Sequence, residues 1–213
     1  MRVPLREPVN GITHLIGALL SAVGLVALMV VAVNSGSVKV AVAFAIFGTS
    51  LVLMYTASAL YHSLPLTPRG LQIFRRVDHV MIYVLIAGTY TPVCLVMLPG
   101  RLGTGLLVTV WSIAALGTIQ KIAWLDAPQW LSTALYLGMG WIAVLVVPGL
   151  LSVAPAGFLG WLVAGGLLYS VGAVIYGTKW PNPVPGFGSH EIWHLFVMAG
   201  SFSHYWAILR YAA

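Results

Sequence analysis

The sequence predicts an all-α membrane protein, a bundle of seven transmembrane helices with a cytoplasmic amino terminus and an external carboxyl terminus. Hydrophobic residues make up 60% of the 213 residues, charged residues only 7%, and the mean hydropathy is +0.98. A soluble domain carries roughly a quarter charged residues, and no water-soluble fold of this size could hide so much apolar surface. Because the apolar stretches are long and uninterrupted, they indicate helices and not the strands of a barrel.

Each span needs about 20 mainly apolar residues, and the first three such segments are separated by clear breaks. Gly36 lies in the break after the first segment, and Pro65 closes the second. A basic linker with Arg69, Arg75 and Arg76 then leads to the third segment, in which Pro92 predicts a kink. The predicted spans are residues 12–33, 38–64 and 78–97.

The remaining four segments follow the same rule. The fourth ends at Asp126-Ala127-Pro128, and the turn-rich stretch 179–186 precedes the last. The predicted spans are residues 103–124, 130–151, 157–177 and 189–209. The spans leave no room for a separate soluble domain, so residues 1–213 form one domain.

Lysine and arginine set the predicted orientation. Seven of them fall on the amino-terminal side of the spans and three on the other side. The first group is Arg2, Arg6, Arg69, Arg75, Arg76, Lys121 and Lys179, and the second is Lys39, Arg101 and Arg210. Basic residues accumulate on the cytoplasmic side, so the net charge of +6 indicates membrane orientation and not a nucleic-acid partner. We expect a multi-pass protein of the cell (inner) membrane, embedded in the bilayer.

A metal site is predicted at the cytoplasmic end. His190 and His194 are four residues apart, so both imidazoles lie on one helix face and can reach one ion. The topology brings His62, at the exit of the second span, and Asp78, at the start of the third, to the same depth. Ionisable residues within spans are costly and usually mark a functional site. Three imidazoles with one open position are typical of catalytic zinc, so Zn²⁺ is the favoured ion.

Two further residues are candidates for catalysis. Asp78 could hold a water on the zinc by a hydrogen bond, or it could orient a ligand. Ser58 lies one turn before His62 on the same face and could stabilise that water or a developing oxyanion.

Other polar residues are expected to play smaller parts. Asn10 and His14 share a face and could line the mouth of a cavity, whereas Glu7 is interpreted as an ordinary solvated charge at a helix end. His79 points about 100° away from Asp78 around the helix, which favours a packing or interfacial role. His204 lies about 15 Å from His194 at 1.5 Å per residue, too far to share the ion, and is interpreted as an interior hydrogen-bonding residue.

An ordered set of motifs across the chain resembles the hemolysin III family, the bacterial branch of the superfamily of progestin and adipoQ receptors, with a more distant likeness to alkaline ceramidases. The matching stretches are Glu7-Pro-Val-Asn10-Gly-Ile-Thr-His14, Ser58-Ala-Leu-Tyr-His62, Arg76-Val-Asp78-His79, Gly88-Thr-Tyr-Thr-Pro92, Ser189-His190-Glu191-Ile-Trp-His194 and Phe202-Ser-His204. The resemblance implies seven helices, a cytoplasmic amino terminus, zinc on His62, His190 and His194, and a water on the zinc that contacts Asp78, with Ser58 close by. Eukaryotic relatives resemble zinc-dependent lipid hydrolases with ceramidase-type activity.

Three functions compete at this point. The first is a zinc-dependent hydrolase of a lipid amide or ester bond, with a membrane lipid as substrate and Asp78 as general base. The second is a metalloprotease, because His190-Glu191-x-x-His194 spells the HExxH motif in which the glutamate is the base. The third is a non-enzymatic channel, pore-forming (hemolysin-like) protein or membrane-homeostasis sensor with a structural zinc, for which a fourth protein ligand would be expected.

Overall fold

The computed structural model describes residues 5–98 and 100–212, and within these ranges it contains helices and no β-strand. Three helices are extended or joined by other helical turns: a π-helical turn, Val93–Met97, continues α3, and a 3₁₀ turn, Ile142–Val146, joins α5 to α6. The helices are α1 Pro8–Ser35, α2 Val38–Ser63, α3 Pro68–Pro92, α4 Arg101–Ala123, α5 Gln129–Trp141, α6 Val147–Val153, α7 Ala156–Thr178 and α8 Ser189–Tyr211.

Most of these helices are long and apolar enough to cross a membrane. Among the described residues, six segments meet both conditions: Pro8–Ser35, Val38–Ser63, Pro68–Met97, Arg101–Ala123, Gln129–Val153 and Ala156–Thr178. The expectation of an all-helical, multi-pass membrane protein is therefore confirmed. Helix α8 has 23 residues but is not among the six, so the seventh span and the orientation of the termini stay predictions.

The predicted basic linker before the third span is wrong, because α3 already begins at Pro68. Thr67 caps this end, its hydroxyl accepting a hydrogen bond from the Gly70 amide at 3.2 Å, and proline is favoured at the first helical position. Arg69, Arg75 and Arg76 therefore lie on the first turns of the helix and not in a loop. The low hydropathy of residues 68–77 placed the predicted start of the span too late, although Thr67 and Pro68 are a helix-start signal in the sequence.

The fifth predicted span is interrupted near its middle. Proline at position 148 lacks an amide donor, and a 3₁₀ turn lies just before it. The Tyr90 hydroxyl lies 2.6 Å from the Gly140 carbonyl oxygen and accepts a hydrogen bond from the Ala143 amide at 2.8 Å. Backbone groups freed at membrane depth must find such partners, so Tyr90 makes the break tolerable. Pro92 marks a comparable change, from α- to π-helix, where the sequence predicted a kink.

Two apolar cores hold the bundle together. One lies around Phe44, Phe47 and Leu28, and the other around Tyr83 and Phe158; all five side chains are fully buried. A cavity of about 460 Å³ is lined by residues of all eight helices and is mostly apolar. Its lining includes His190 at the start of α8 and His204 further along the same helix, so it runs from the predicted metal site to the interior of the bundle.

Candidate metal centre

Three histidines from two helices meet at one point in the structure. One nitrogen of each of His62, His190 and His194 lies within 4.8 Å of those of the other two. The ring centroids are 4.9 to 5.1 Å apart, and each pair is steeply inclined, so the imidazoles point edge-on toward a shared space and do not stack. His62 and His194 are buried, and His190 is partly buried. The cluster could hold a metal ion.

Local structure places these histidines. Helix α2 ends just after His62, where Leu64 adopts an extended conformation and proline follows. The Glu7 amide donates to the His62 carbonyl oxygen at 2.9 Å, so the chain entering α1 is fixed to the end of α2. His190 and His194 occupy the first two turns of α8 and therefore share a face.

Glu7 holds the imidazole of His62, which the sequence did not predict. Its Oε2 lies 2.6 Å from His62 Nδ1. The hydrogen bond with His62, together with the charges of His62 and Arg6, lowers the pKa of Glu7 to about 2, although partial burial acts in the opposite direction. The interpretation of Glu7 as a solvated end charge is therefore wrong. A usable signal was its spacing, because Glu7, Asn10 and His14 follow one another at three and four positions, along one helix face.

Glu191 has a structural role at the start of α8. Its Oε2 accepts a hydrogen bond from the Gly188 amide at 2.7 Å, which caps the helix, and its Oε1 accepts one from Asn10 Nδ2 at 2.9 Å. Asn10 also contacts Glu7 Oε2 at 3.3 Å, so the buried amide links the carboxylates of α1 and α8. Because both oxygens of Glu191 have donors, this geometry disfavours its use as the base of an HExxH protease.

His14 packs directly on one of the three histidines. Its ring lies parallel to that of His194, with centroids 3.7 Å apart, and Tyr55 meets it edge-on at 5.0 Å. His14 is buried, and both of its nitrogens lack a hydrogen-bond partner among the described residues. It is also one of the residues that line the cavity, whereas Asn10 lies between the carboxylates of Glu7 and Glu191. His14 therefore fixes the plane of the His194 ring.

Asp78 and Ser58 lie beside the cluster. Both are buried and line the same cavity as His190 and His194. Among the described residues, the group whose ligand atoms meet contains only the three histidines, so Asp78 is not one of its members. The cluster thus combines three imidazoles with room on the side that faces the cavity.

The other two sequence-predicted histidines lie apart from it. His204 Nε2 lies 3.1 Å from the Leu162 carbonyl oxygen, deep in the bundle, as expected for an interior hydrogen-bonding residue. His79 faces α4 and α5: its carbonyl oxygen accepts from the Tyr136 hydroxyl at 3.1 Å, and its Nδ1 is buried without a partner among the described residues.

These residues fit a zinc ion. Three neutral imidazoles with an open position are a common catalytic zinc arrangement, with Zn–N distances of about 2.0–2.1 Å. A metal-ligating histidine usually donates its other ring N–H to a carboxylate, which fixes the tautomer. Glu7 makes this contact with His62 Nδ1 and leaves Nε2 for the ion. The buried Nδ1 of His194 lacks a hydrogen-bond partner among the described residues, so the protein does not satisfy this ring alone.

Comparison with known proteins gives a consistent result. A family model described as "Haemolysin-III related" matches residues 3–205. The chain is 45% identical to "Hemolysin-3 homolog" of Bacillus subtilis (strain 168), over 96% of this chain and 93% of that protein. It is 40% identical to "Hemolysin-3" of Bacillus cereus, over 96% and 91%. "Monocyte to macrophage differentiation factor" of Homo sapiens is 30% identical, over 78% of this chain and 68% of that protein.

Both the family model and the bacterial relatives span nearly the whole chain, including every residue of the histidine cluster. The resemblance expected from the motifs is thereby confirmed, and the chain belongs to the haemolysin-III related family.

Proposed function

We propose that this protein is a zinc-dependent hydrolase that cleaves an amide or ester bond of a membrane lipid, in the manner of a ceramidase. The observation that supports this function most strongly is the position of the histidine cluster, because two of its members, His190 and His194, line a mostly apolar cavity that Asp78 and Ser58 also line. A structural zinc is normally enclosed by four protein ligands, whereas catalytic zinc keeps a position open. Here the open side faces a cavity of about 460 Å³ that could admit an acyl chain.

The proposed hydrolysis needs a bound zinc ion and two side chains, Asp78 and Ser58. Zinc, when bound by His62, His190 and His194, would polarise a carbonyl group and lower the pKa of a water molecule towards about 7. The Asp78 carboxylate accepts a proton from the attacking water and later returns it to the leaving amine or alcohol. The Ser58 hydroxyl donates a hydrogen bond to the oxygen on which negative charge develops. Both groups are buried, so water from the bulk does not compete with them.

A lipid suits the shape and lining of the cavity. Its volume of about 460 Å³ lies within the range of roughly 300–1,000 Å³ typical of small-molecule sites. Leu137, Val144, Leu159, Leu162 and Val163 are among the lining residues, and they give an acyl chain an apolar path. Burying each CH₂ group of such a chain contributes about 0.8 kcal/mol. The polar bond to be cleaved would then lie beside the histidines.

The proposal includes a setting in the cell membrane. We take α8 as a seventh span, since it packs against α1 and α7 and its 23 residues suffice to cross a bilayer. The excess of lysine and arginine at the histidine end supports a cytoplasmic position for this end of the bundle and for the amino terminus. In a bacterial cell this corresponds to the inner membrane.

Two measurements on the purified protein test the function. Metal analysis should find one zinc per chain, which His62→Ala removes, while His204→Gln, a change to a histidine outside the cluster, keeps it. The zinc-loaded protein should release fatty acid from an amide- or ester-linked lipid, a chelator should abolish the release, and added zinc should restore it. Zinc-loaded protein that is inert towards a panel of amide and ester lipids would sink the proposal.

A second candidate is a pore or membrane sensor with a structural zinc, and the name "Hemolysin-3" of the Bacillus cereus relative supports it. Reconstitution in planar bilayers separates the two functions. Conductance that persists after His62→Ala, together with the absence of lipid hydrolysis, would favour a pore. A silent bilayer with chelator-sensitive hydrolysis would favour the enzyme.

A further inference from the structure

Lys121 is a buried cation at the histidine end of the bundle. It lies in the last turn of α4, and only 2% of its surface is exposed. Its Nζ donates a hydrogen bond to the Ser132 hydroxyl at 2.5 Å, and both residues line the cavity. A lysine at a span end usually extends its amine to water, and Lys121 does not. The ammonium group is held inside the protein by a neutral partner.

Among the described residues, no carboxylate forms an ion pair with this lysine, and the nearby Asp126 is itself paired with Arg75. The chain has four acidic side chains, and all four lie in the described residues. Glu7 pairs with Arg6 and His62, Asp126 pairs with Arg75, and Glu191 caps α8. The fourth, Asp78, lies beside the histidines, and no ion pair joins it to Lys121 within the described part of the chain. A buried charge without a counter-charge is costly, so an anion from outside would stabilise it.

Two further groups offer hydrogen-bond donors in this corner of the cavity, and one of them, Arg75, adds a positive charge. Arg75 lines it, and its single contact with Asp126, at 2.9 Å, leaves other guanidinium donors free to bind an anion. His79 also lines it, with a buried Nδ1 that has no partner among the described residues. Arg75 and His79 are four residues apart on α3, and Tyr136, which donates to the His79 carbonyl oxygen, lies one turn after the serine partner of Lys121 on α5. The three groups therefore lie near one another.

We propose that Lys121, Arg75 and His79 form a subsite for a phosphate group, and that this phosphate belongs to the headgroup of a lipid whose acyl chain occupies the cavity. This subsite rests on the proposed function in one respect, because it makes the substrate a phosphorylated lipid in place of a neutral one. The subsite and the histidine cluster share one cavity, so a single lipid molecule can reach both. Lysine and arginine hold phosphate oxygens by charge-assisted hydrogen bonds.

The test compares two lipids that differ only in the phosphate. Dioleoyl phosphatidic acid and dioleoylglycerol are titrated against the full-length protein in detergent, and bound lipid is counted by native mass spectrometry. Wild type should bind phosphatidic acid about tenfold more tightly, as expected for charge-assisted hydrogen bonds. Lys121→Met should bind both lipids equally and keep its zinc, which shows that it is folded. Lys121→Arg should retain the preference.

Lys39→Met is the matched control, because Lys39 is exposed at the opposite end of α2. It should bind like wild type. Equal binding of the two lipids by wild type, or a preference that survives Lys121→Met, would overturn the subsite. Displacement of phosphatidic acid by inorganic phosphate, with no preference between the lipids, would assign the site to free phosphate and overturn the lipid assignment.

The binding test of the subsite and the activity test of the proposed hydrolase can succeed or fail independently. A phosphate preference that depends on Lys121, without hydrolysis of any lipid, would leave the subsite standing and remove the enzyme. Hydrolysis of neutral and phosphorylated lipids at equal rates, unchanged by Lys121→Met, would do the reverse.

Discussion

A single hydrogen bond controls the orientation of one proposed zinc ligand. Glu7 Oε2 lies 2.6 Å from His62 Nδ1, and such partners raise the basicity of the ligand and fix its tautomer. We therefore expect Glu7→Gln to weaken zinc affinity by about 10–100-fold. Competition with a chromophoric chelator measures this. Asp126→Asn, which removes an exposed carboxylate paired with Arg75, is the control and should leave the affinity unchanged. An unaltered affinity in Glu7→Gln would show that the contact is incidental.

The two acids near the histidines should respond differently to neutral replacement. Asp78 is buried beside the cluster, so Asp78→Asn should keep the zinc and lower lipid hydrolysis by about 10²–10⁴-fold, the usual contribution of a general base. Glu191 has both oxygens engaged in capping α8 and holding Asn10, so Glu191→Gln should cost about 1 kcal/mol of stability and keep most of the activity. Fatty acid release by the two variants, measured at equal zinc content, shows which of the two acids acts as the general base. Loss of activity in Glu191→Gln, with activity retained in Asp78→Asn, would instead support an HExxH metalloprotease.

The three histidines of the cluster could be found in the sequence from their spacing and their depth in the predicted spans. His190 and His194 are four positions apart on one helix, and His62 lies at the same depth once the spans are counted. Spacing associates Glu7 with Asn10 and His14, but it does not give the contact of Glu7 with His62, which joins positions 55 apart and depends on how the start of α1 packs on the end of α2. The same holds for Lys121, whose burial follows from the approach of α5 to α4. Both the Glu7–His62 contact and the burial of Lys121 depend on packing between helices, which local sequence spacing does not encode.

At the scale of elements, glycine allows α1 to lie close to α2. A Cβ at Gly17 would meet the Tyr55 ring at 2.6 Å, and that ring also packs edge-on against His14. The Tyr55 hydroxyl donates to Ser201 on α8 at 2.8 Å. Moving this ring would therefore disturb three helices near the histidines. We expect Gly17→Ala to destabilise the protein by about 1–3 kcal/mol, as overpacking does, and to reduce zinc retention.

The midpoint of thermal unfolding in detergent measures the effect. Gly160 is the control, since a Cβ at this position of α7 would meet nothing within 4 Å. Gly160→Ala should leave the midpoint unchanged or raise it, because alanine favours a helix by about 1 kcal/mol over glycine. If both variants unfold at the same temperature, the close approach of α1 to α2 does not contribute to stability.

Hydropathy predicted the helices well where lipid-facing residues dominate and less well where helices leave the apolar layer or change type. The second predicted segment, 38–64, and helix α2, Val38–Ser63, differ by one residue. Helix α3 begins ten residues earlier than the predicted segment, because Thr67 and Pro68 start a helix that basic residues then continue. The break between α5 and α6 depends on Tyr90 from another helix, so Pro148 alone did not reveal it.

At the scale of the whole molecule, the polar chemistry lies at one end of the bundle. His190 and His194 of the cluster, Asp78 and the Lys121 corner all border one cavity, and the surface facing the bilayer is apolar. The sequence indicated this end, because the spans and basic residues order the chain in depth. The cavity itself was not predictable, since its walls come from all eight helices.

The location of the two termini follows from whether α8 crosses the membrane, and this is open to direct test. Within the described residues, six segments meet the length and hydropathy criteria, and α8 is the additional helix. Six spans would place both termini on the same side, whereas seven place them on opposite sides. The lysine and arginine bias, seven against three, favours a cytoplasmic amino terminus and hence an external carboxyl terminus.

Reporter fusions at the carboxyl terminus decide this in cells. Green fluorescent protein fused after the last residue should stay dark when it is exported, and alkaline phosphatase at the same position should be active. The same reporters fused to the loop between α4 and α5 should give the opposite result, because Lys121 and Asp126 near this loop mark the proposed cytoplasmic end. A fluorescent carboxyl-terminal fusion would mean that α8 does not complete a seventh crossing. The histidine cluster would then lie at a different depth in the membrane from the one proposed, and the route by which a bilayer lipid reaches it would have to be reconsidered.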